Sequence, residues 1–209
     1  MSKIAIDAVL LPPEEIMGLC IKLNIECNAA GKAKGQLGKK DFVPHLTLAI
    51  GAVQEKDLPA IFNILDKMAK NWMPLSLEIY QLKHYISKTD GEKSYSFKIK
   101  LTEKLQQLHE IVMKSLEPYF SDKLITVEML YKDQGEIIEK VSPAVTEYKE
   151  KYSFSNFDPH ITLLCHETKY DGLPMEFISS TLAVFHLGIN GTCRKRLFST
   201  ELKQKNQTV

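Results

Sequence analysis

The phrase VPHLTLAI, Val43 to Ile50, returns far downstream as DPHITLLC, Asp158 to Cys165. Each copy places Pro before His, then an apolar residue, Thr and another apolar residue. In an extended strand, residues two apart point to the same side. His45, Thr47 and Ala49 therefore fall on one face of their strand, and Leu46, Leu48 and Ile50 on the other. His160, Thr162 and Leu164 oppose Ile161, Leu163 and Cys165 in the same way. The apolar sets must be covered, which leaves each His–Thr pair on an open face. If the two strands belong to sheets that face each other, two histidines and two threonines converge on one cleft.

The remaining pattern supplies such sheets. Lys3 to Pro13 reads as a strand ended by prolines. Pro13 and the acids Glu14 and Glu15 then open a helix, with Ile16, Cys20, Leu23 and Cys27 at helical spacing. A strand follows at the first motif, then an amphipathic helix carrying Leu58, Ile61, Phe62, Leu65 and Met68 on one side. LSLEIYQLKHYIS and SYSFKIKL flank KTDGEK, a hairpin signal around Asp90-Gly91. Thr102 is the expected N-cap of a helix facing inward through Leu105, Leu108, Val112 and Leu116. KLITVEML is expected to be a strand, with a helix near Ser142 to Tyr152 in the polar region beyond it. The second motif is read as a strand through HITLLCHE, followed by a short helix near Leu173 to Ser179. A closing hairpin is formed by TLAVFHLGI and KRLFSTEL, and residues after Leu202 form a frayed tail. This order predicts an α+β chain with largely antiparallel sheets and helices over their apolar faces. At 209 residues the chain suits one domain, or one domain with two lobes.

Two histidines facing one phosphate can perform both proton transfers of phosphodiester cleavage. One takes a proton from the attacking oxygen and the other gives one to the leaving oxygen, and imidazole can do either near neutral pH. The threonine hydroxyls lie one pleat away, within reach of the non-bridging oxygens. This chemistry calls for no cofactor and no metal. A metal site is the competing arrangement, since His166 shares a face with His160 and Asp158 is near. The sequence offers no matching carboxylate beside His45.

The pair HLTL and HITL resembles the H-x-T-x signature of the 2H phosphoesterase superfamily. That superfamily includes 2′,5′-RNA ligase-like proteins, cyclic nucleotide phosphodiesterases and 3′-end RNA-trimming exonucleases. AIDAVLLPPEEI is similar to the family's first strand and helix start, and LAVFHLGIN to the strand after the second motif. The resemblance implies one bilobal domain over residues 1–209, with pseudo-twofold symmetry. Two antiparallel sheets would line a central cleft, each lobe contributing one motif. It implies catalysis by His45 and His160, phosphate binding by Thr47 and Thr162, and an RNA or nucleotide substrate carrying a 2′,3′-cyclic phosphate or a 2′–5′ linkage. Ligase or exonuclease activity, or an RNA-binding module without catalysis, are the alternatives.

The net charge of +1 excludes a polycation, so any nucleic-acid contact must come from local patches. Candidates are Arg194 and Arg196, which share one face of the last hairpin, and Lys98 and Lys100 on the hairpin arm. A further candidate is the basic loop of Lys32, Lys34, Lys39 and Lys40, which runs into the first motif. Tyr85 and Phe157 are candidates for stacking a base. His84, His109 and His186 are expected to be structural or surface residues. Cys20, Cys27, Cys165 and Cys193 form no C-x-x-C pair and are expected to be four buried free thiols. No signal peptide or membrane-length apolar run is visible, so a soluble, cytoplasmic monomer is expected.

Overall fold

A computed structural model describes residues 2–32, 35–86, 91 and 93–203. Along the chain these form β1 (Lys3–Leu11), α1 (Glu14–Ala29), β2 (Leu46–Gln54), α2 (Leu58–Ala69), β3 (Leu75–Ile86), β4 (Lys93–Ile99) and α3 (Glu103–Leu116). The one-turn helices α4 (Pro143–Thr146) and α5 (Tyr148–Lys151) follow. After them come β5 (His160–Thr162), β6 (Met175–Ser179), β7 (Thr181–Leu187) and β8 (Cys193–Glu201). The strands make two four-stranded sheets, ordered β2-β1-β7-β8 and β5-β4-β3-β6, with antiparallel pairing throughout. The α+β class expected from the sequence holds. The first sheet joins the two ends of the chain, whereas the second is built from its middle. The first motif enters β2, with His45 immediately before the strand, and the second lies on β5, so each sheet carries one.

Apolar burial explains the placement of the longer helices. Ile61 and Leu65 of α2, and Leu105, Leu108, Val112 and Leu116 of α3, are fully buried in the main core. Truncating one such leucine to alanine typically costs about 2–5 kcal/mol. Thr102 caps α3 as expected, its hydroxyl accepting from the Leu105 N–H at 3.2 Å. His109 is structural. Its Nδ1 donates to the Leu48 carbonyl at 2.7 Å, its Nε2 accepts from the Phe154 N–H at 2.8 Å, and its ring stacks on Phe157.

Four expectations are corrected. KLITVEML is a loop with a single 3-10 turn at Val127–Met129. Its alternation seats Ile125 and Leu130 in the core, but it pairs with no strand. The short helix expected near Leu173 to Ser179 is instead strand β6. It alternates buried Phe177 and Ser179 with exposed Glu176 and Ile178, and it fills the open edge of β3. The second-motif strand stops at Thr162, because Leu164 takes a left-handed φ of 51°. The four cysteines are not all free thiols. Cys27 of α1 and Cys165 form a disulfide with Cα atoms 5.9 Å apart, while Cys20 and Cys193 are free and buried. Their separation of 138 residues hides this juxtaposition from the sequence. Asp90 of the expected β3–β4 turn lies outside the described residues.

Candidate active site

The two histidines are held in the same way. His45 Nδ1 lies 2.7 Å from the Val43 carbonyl, and His160 Nδ1 lies 2.7 Å from the Asp158 carbonyl. In each copy the accepting carbonyl belongs to the residue before the proline. The proline fixes φ and disfavours helix in the residue preceding it, which sets that carbonyl in place. With Nδ1–H donating to a carbonyl, each ring keeps Nε2 as the nitrogen that can exchange a proton. Both rings are partly buried.

The surroundings of the two motifs differ. In the first sheet the β1–β2 register skips a residue, from Ala8 opposite Ala49 to Val9 opposite Thr47. The skipped residue is Leu48, and the bulge changes the alternation. Ala49, expected beside His45 and Thr47, therefore sits opposite Ala8 in the main core. On the His–Thr side of β1 stands Asp7, which has no exposed surface. The Thr47 hydroxyl donates to Asp7 Oδ2 at 2.9 Å, and His45 Nε2 is 3.5 Å from the same oxygen. Burial holds the Asp7 carboxyl well above its ordinary pKa of 3.8, against the opposing bond from Thr47. Asp7 Oδ1 has no hydrogen-bond partner. Sequence reasoning missed this carboxylate beside His45. Its signal was a charge in the middle of KIAIDAVLL, since a buried carboxylate is seldom left without a partner or a task.

In the second sheet, Lys98 is opposite His160 and Ser96 is opposite Thr162. The polar face of β4 is therefore the floor of this half-site. Lys98 is almost fully buried and its ammonium pairs with the Asp158 carboxylate. Burial lowers the His45 pKa to about 4; the Val43 carbonyl opposes this, and the charge of His160 adds to the fall. Burial likewise lowers the His160 pKa; the Asp158 carbonyl opposes this and the Lys98 charge adds to it. Both rings are thus biased to the neutral form.

A cavity of about 220 Å³ opens beside the motifs. His45, Thr162, Phe42, Tyr85, Ser94, Leu164 and Cys193 are among its lining residues. Its walls are mostly apolar, and Tyr85 and Ile86 stand exposed at the rim.

A buried polar bracket positions the segments around this cavity. Asn24 of α1 donates to the carbonyls of Gly35 at 2.9 Å and Leu163 at 3.0 Å, and accepts from the Leu37 N–H at 2.8 Å. One side chain thus ties the loop before the first motif to the end of the second. Arg194 fastens the same loop from the other side. Its guanidinium is bonded to Asp41 at 2.5 Å, to both Glu136 oxygens at 3.0 Å and to Asp133. It also lies over the Phe42 ring at 4.2 Å. In this structure Arg194 faces those three carboxylates and not the cleft. Arg196 is exposed, its guanidinium 5.5 Å from the centre of the Phe185 ring. Asp7, Phe185 and Arg196 are opposite one another across β1, β7 and β8, so they share the His–Thr face. Lys39 pairs with Glu14, Lys32 pairs with Glu167 at 2.5 Å, and Lys40 is exposed. Lys34 lies outside the described residues. Phe157 is buried against His109 and does not reach this cavity.

No protein-family model matches the sequence. No curated protein matches it either. The fold does match solved structures. TT0787 of Thermus thermophilus superposes with a TM-score of 0.62 at 15% identity, covering 97% of this chain and 100% of that one. E. coli LigT complexed with 3′-AMP gives 0.55 at 14% identity, covering 97% and 100%. A protein described as a phosphoesterase gives 0.53 at 15% identity, with the same coverage. Likeness at this level of identity concerns the fold, and the chain shares the fold of TT0787, LigT and that phosphoesterase over nearly its whole length.

Proposed function

We propose that this chain is a phosphodiesterase of the 2H type, acting on a 2′,3′-cyclic phosphate or a 2′–5′ linkage in RNA or a nucleotide. The observation that carries the reading is the matched anchoring of His45 and His160. Each ring holds Nδ1 on the carbonyl two residues upstream, which leaves two Nε2 atoms for proton transfer. The substrate phosphorus would sit between them. One neutral imidazole takes the proton of an attacking water as its oxygen bonds to phosphorus. The other, as imidazolium, gives its proton to the leaving ribose oxygen as the P–O bond breaks. Thr162 would hold a non-bridging oxygen, Thr47 would do so once its hydroxyl turns from Asp7 to the phosphate, and Lys98 would add positive charge beside His160. No step needs a metal. The apolar cavity with Tyr85 at its rim suits a base or nucleoside, and the complex of LigT with 3′-AMP supports a nucleotide substrate. Arg196, Lys39 and Lys40 are proposed to contact more distant phosphates. One unit over residues 1–209, with one motif per lobe, is part of the same proposal.

The test is turnover by the purified full chain, in EDTA, of cyclic mononucleotides, 2′–5′ oligomers and 3′-tailed RNA. His45→Ala and His160→Ala should each lower kcat by roughly 10²–10⁴, with little further loss in the double variant, because the pair acts as a unit. Near-wild-type rates in a folded His160→Ala chain would sink the proposal.

A further inference from the structure

Asp7, His45 and Cys193 bring a carboxylate oxygen, an imidazole nitrogen and a sulfur within 4.8 Å of one another. The proposed reaction uses His45 alone of the three. Tetrahedral zinc holds such ligands at about 2.0–2.3 Å, which puts nitrogen and oxygen about 3.4 Å apart and sulfur and oxygen about 3.6 Å apart. Here His45 Nε2 is 3.5 Å and Cys193 Sγ 4.0 Å from Asp7 Oδ2. We propose that Asp7, His45 and Cys193 form a binding site for a thiolate-preferring divalent cation, zinc, and that its occupation switches off the acid–base pair.

Three further observations support the site. The other nitrogen of His45 is bonded to a backbone carbonyl, which is the usual support of a metal-bound histidine and fixes the ring's direction. The N–H of Val43, the residue that supplies that carbonyl, donates to the Cys193 carbonyl at 3.0 Å, so ring and thiol are positioned by one backbone junction. Asp7 Oδ1 is buried without a partner, in a place where a nearby cation would compensate the carboxylate. One carboxylate and one thiolate balance the two charges of zinc, so the filled site is neutral. The thiol proton, and any proton on Asp7, pass to solvent on binding. Hard cations such as magnesium and calcium take oxygen ligands and have no use for the sulfur. Three ligands leave the fourth position to water or a phosphate oxygen.

The consequence rests on the proposed function: a cation on Nε2 occupies the lone pair with which His45 would take or hold a proton. Zinc should therefore inhibit, and a chelator should release the inhibition.

Binding and turnover are measured separately. The metal-free full chain is titrated with Co²⁺, followed by its thiolate charge-transfer absorption, and then with Zn²⁺ in competition. One equivalent should give the band, and zinc should abolish it. Cys193→Ser should remove the band, and Asp7→Asn should weaken zinc binding by about tenfold or more. Cys20→Ser, which removes the other free thiol, should change neither. Zinc should also raise the melting temperature of the wild type and not of Cys193→Ser, a reading that does not depend on activity. A band that survives Cys193→Ser with unchanged zinc affinity overturns the site. Zinc should slow hydrolysis of a cyclic nucleotide by the wild type, and far less by Cys193→Ser. If zinc binds as expected but no phosphodiester is turned over, the cation site stands and the proposed function falls. Turnover at full rate with the Cys193-dependent site saturated overturns the switch. Activation by zinc overturns both the switch and the two-imidazole reaction.

Discussion

The Thr47 hydroxyl donates to Oδ2 of Asp7, a carboxyl group buried in the first sheet beside His45. The threonine proposed to hold phosphate thus depends on a residue that is costly to bury. A carboxyl whose folded pKa lies above its unfolded one keeps its proton in the native state between the two values. The unfolded chain binds fewer protons over that interval, so stability falls as pH rises through it. Asp7 has this sign, and its interval opens at the ordinary carboxyl value of 3.8. Asp7→Asn, which cannot ionise, should melt higher than the wild type by a margin that grows from pH 5 to pH 8. Asp7→Ala removes the acceptor from Thr47 and should lower kcat/KM by up to about 10², the scale of a small misplacement in a reacting constellation. A margin that shrinks with rising pH would show that Asp7 is stabilised as the carboxylate.

In the proposed reaction the two imidazoles set the pH profile. Both are held below the ordinary 6.5, His45 at about 4. A reaction that needs one ring neutral and one protonated is fastest between the two pKa values, and kcat/KM reports those of the free enzyme. The maximum of kcat/KM should therefore fall below pH 6.5. Lys98→Met removes a charge that helps keep His160 neutral. It should move one limb of the bell to higher pH, a shift that loss of a purely structural lysine would not produce. A profile still rising at pH 8 would contradict the assignment.

Asn24 joins the approach to the first motif with the exit from the second. Its replacement by Ala strands the Leu37 N–H and the Gly35 and Leu163 carbonyls, each at a cost of about 1–3 kcal/mol if no water reaches it. Denaturant unfolding should show a loss of at least about 2 kcal/mol. Hydrogen exchange should rise first at the Leu37 amide. A loss under about 0.5 kcal/mol would mean that water replaces the bracket.

The His–Thr pairs were legible because their pattern is local: i and i+2 on a strand, with a proline to set the entry. Asp7 was not, because its place beside His45 depends on the pairing of β1 with β2 and on the bulge at Leu48. Cys193 approaches Asp7 only when the last strand joins the sheet begun by the first, and the Cys27–Cys165 bridge likewise forms only in the folded chain. Alternation alone also failed to separate KLITVEML from MEFIS. Both alternate, but only the second meets an open strand edge, and availability of a partner is a property of the whole sheet. Arg194 was legible as an anion binder, but the anions it meets are Asp41, Asp133 and Glu136 of its own chain.

Substitution in the loop before the first motif distinguishes a long substrate from a short one. Lys32 and Lys39 are paired with Glu167 and Glu14 at the surface, and Lys40 is exposed. Exposed pairs of this kind contribute little in water and can exchange their carboxylates for phosphates. If Lys32, Lys34, Lys39 and Lys40 follow an RNA backbone, they matter only to substrates with phosphates beyond the reacting one. Each single-strand phosphate neutralised contributes a slope of about −0.7 in log K against log salt. Changing the four lysines to serine should weaken oligonucleotide binding and flatten its salt dependence by up to about 3 in that slope. Hydrolysis of a cyclic mononucleotide, which the proposed reaction assigns to the His–Thr quartet, should keep its rate within about threefold, because that substrate carries no phosphate beyond the reacting one. Equal losses on both substrates would make the loop a folding element of the site through its junction with Asn24. If neither substrate is affected, the natural substrate carries no phosphate beyond the one that reacts.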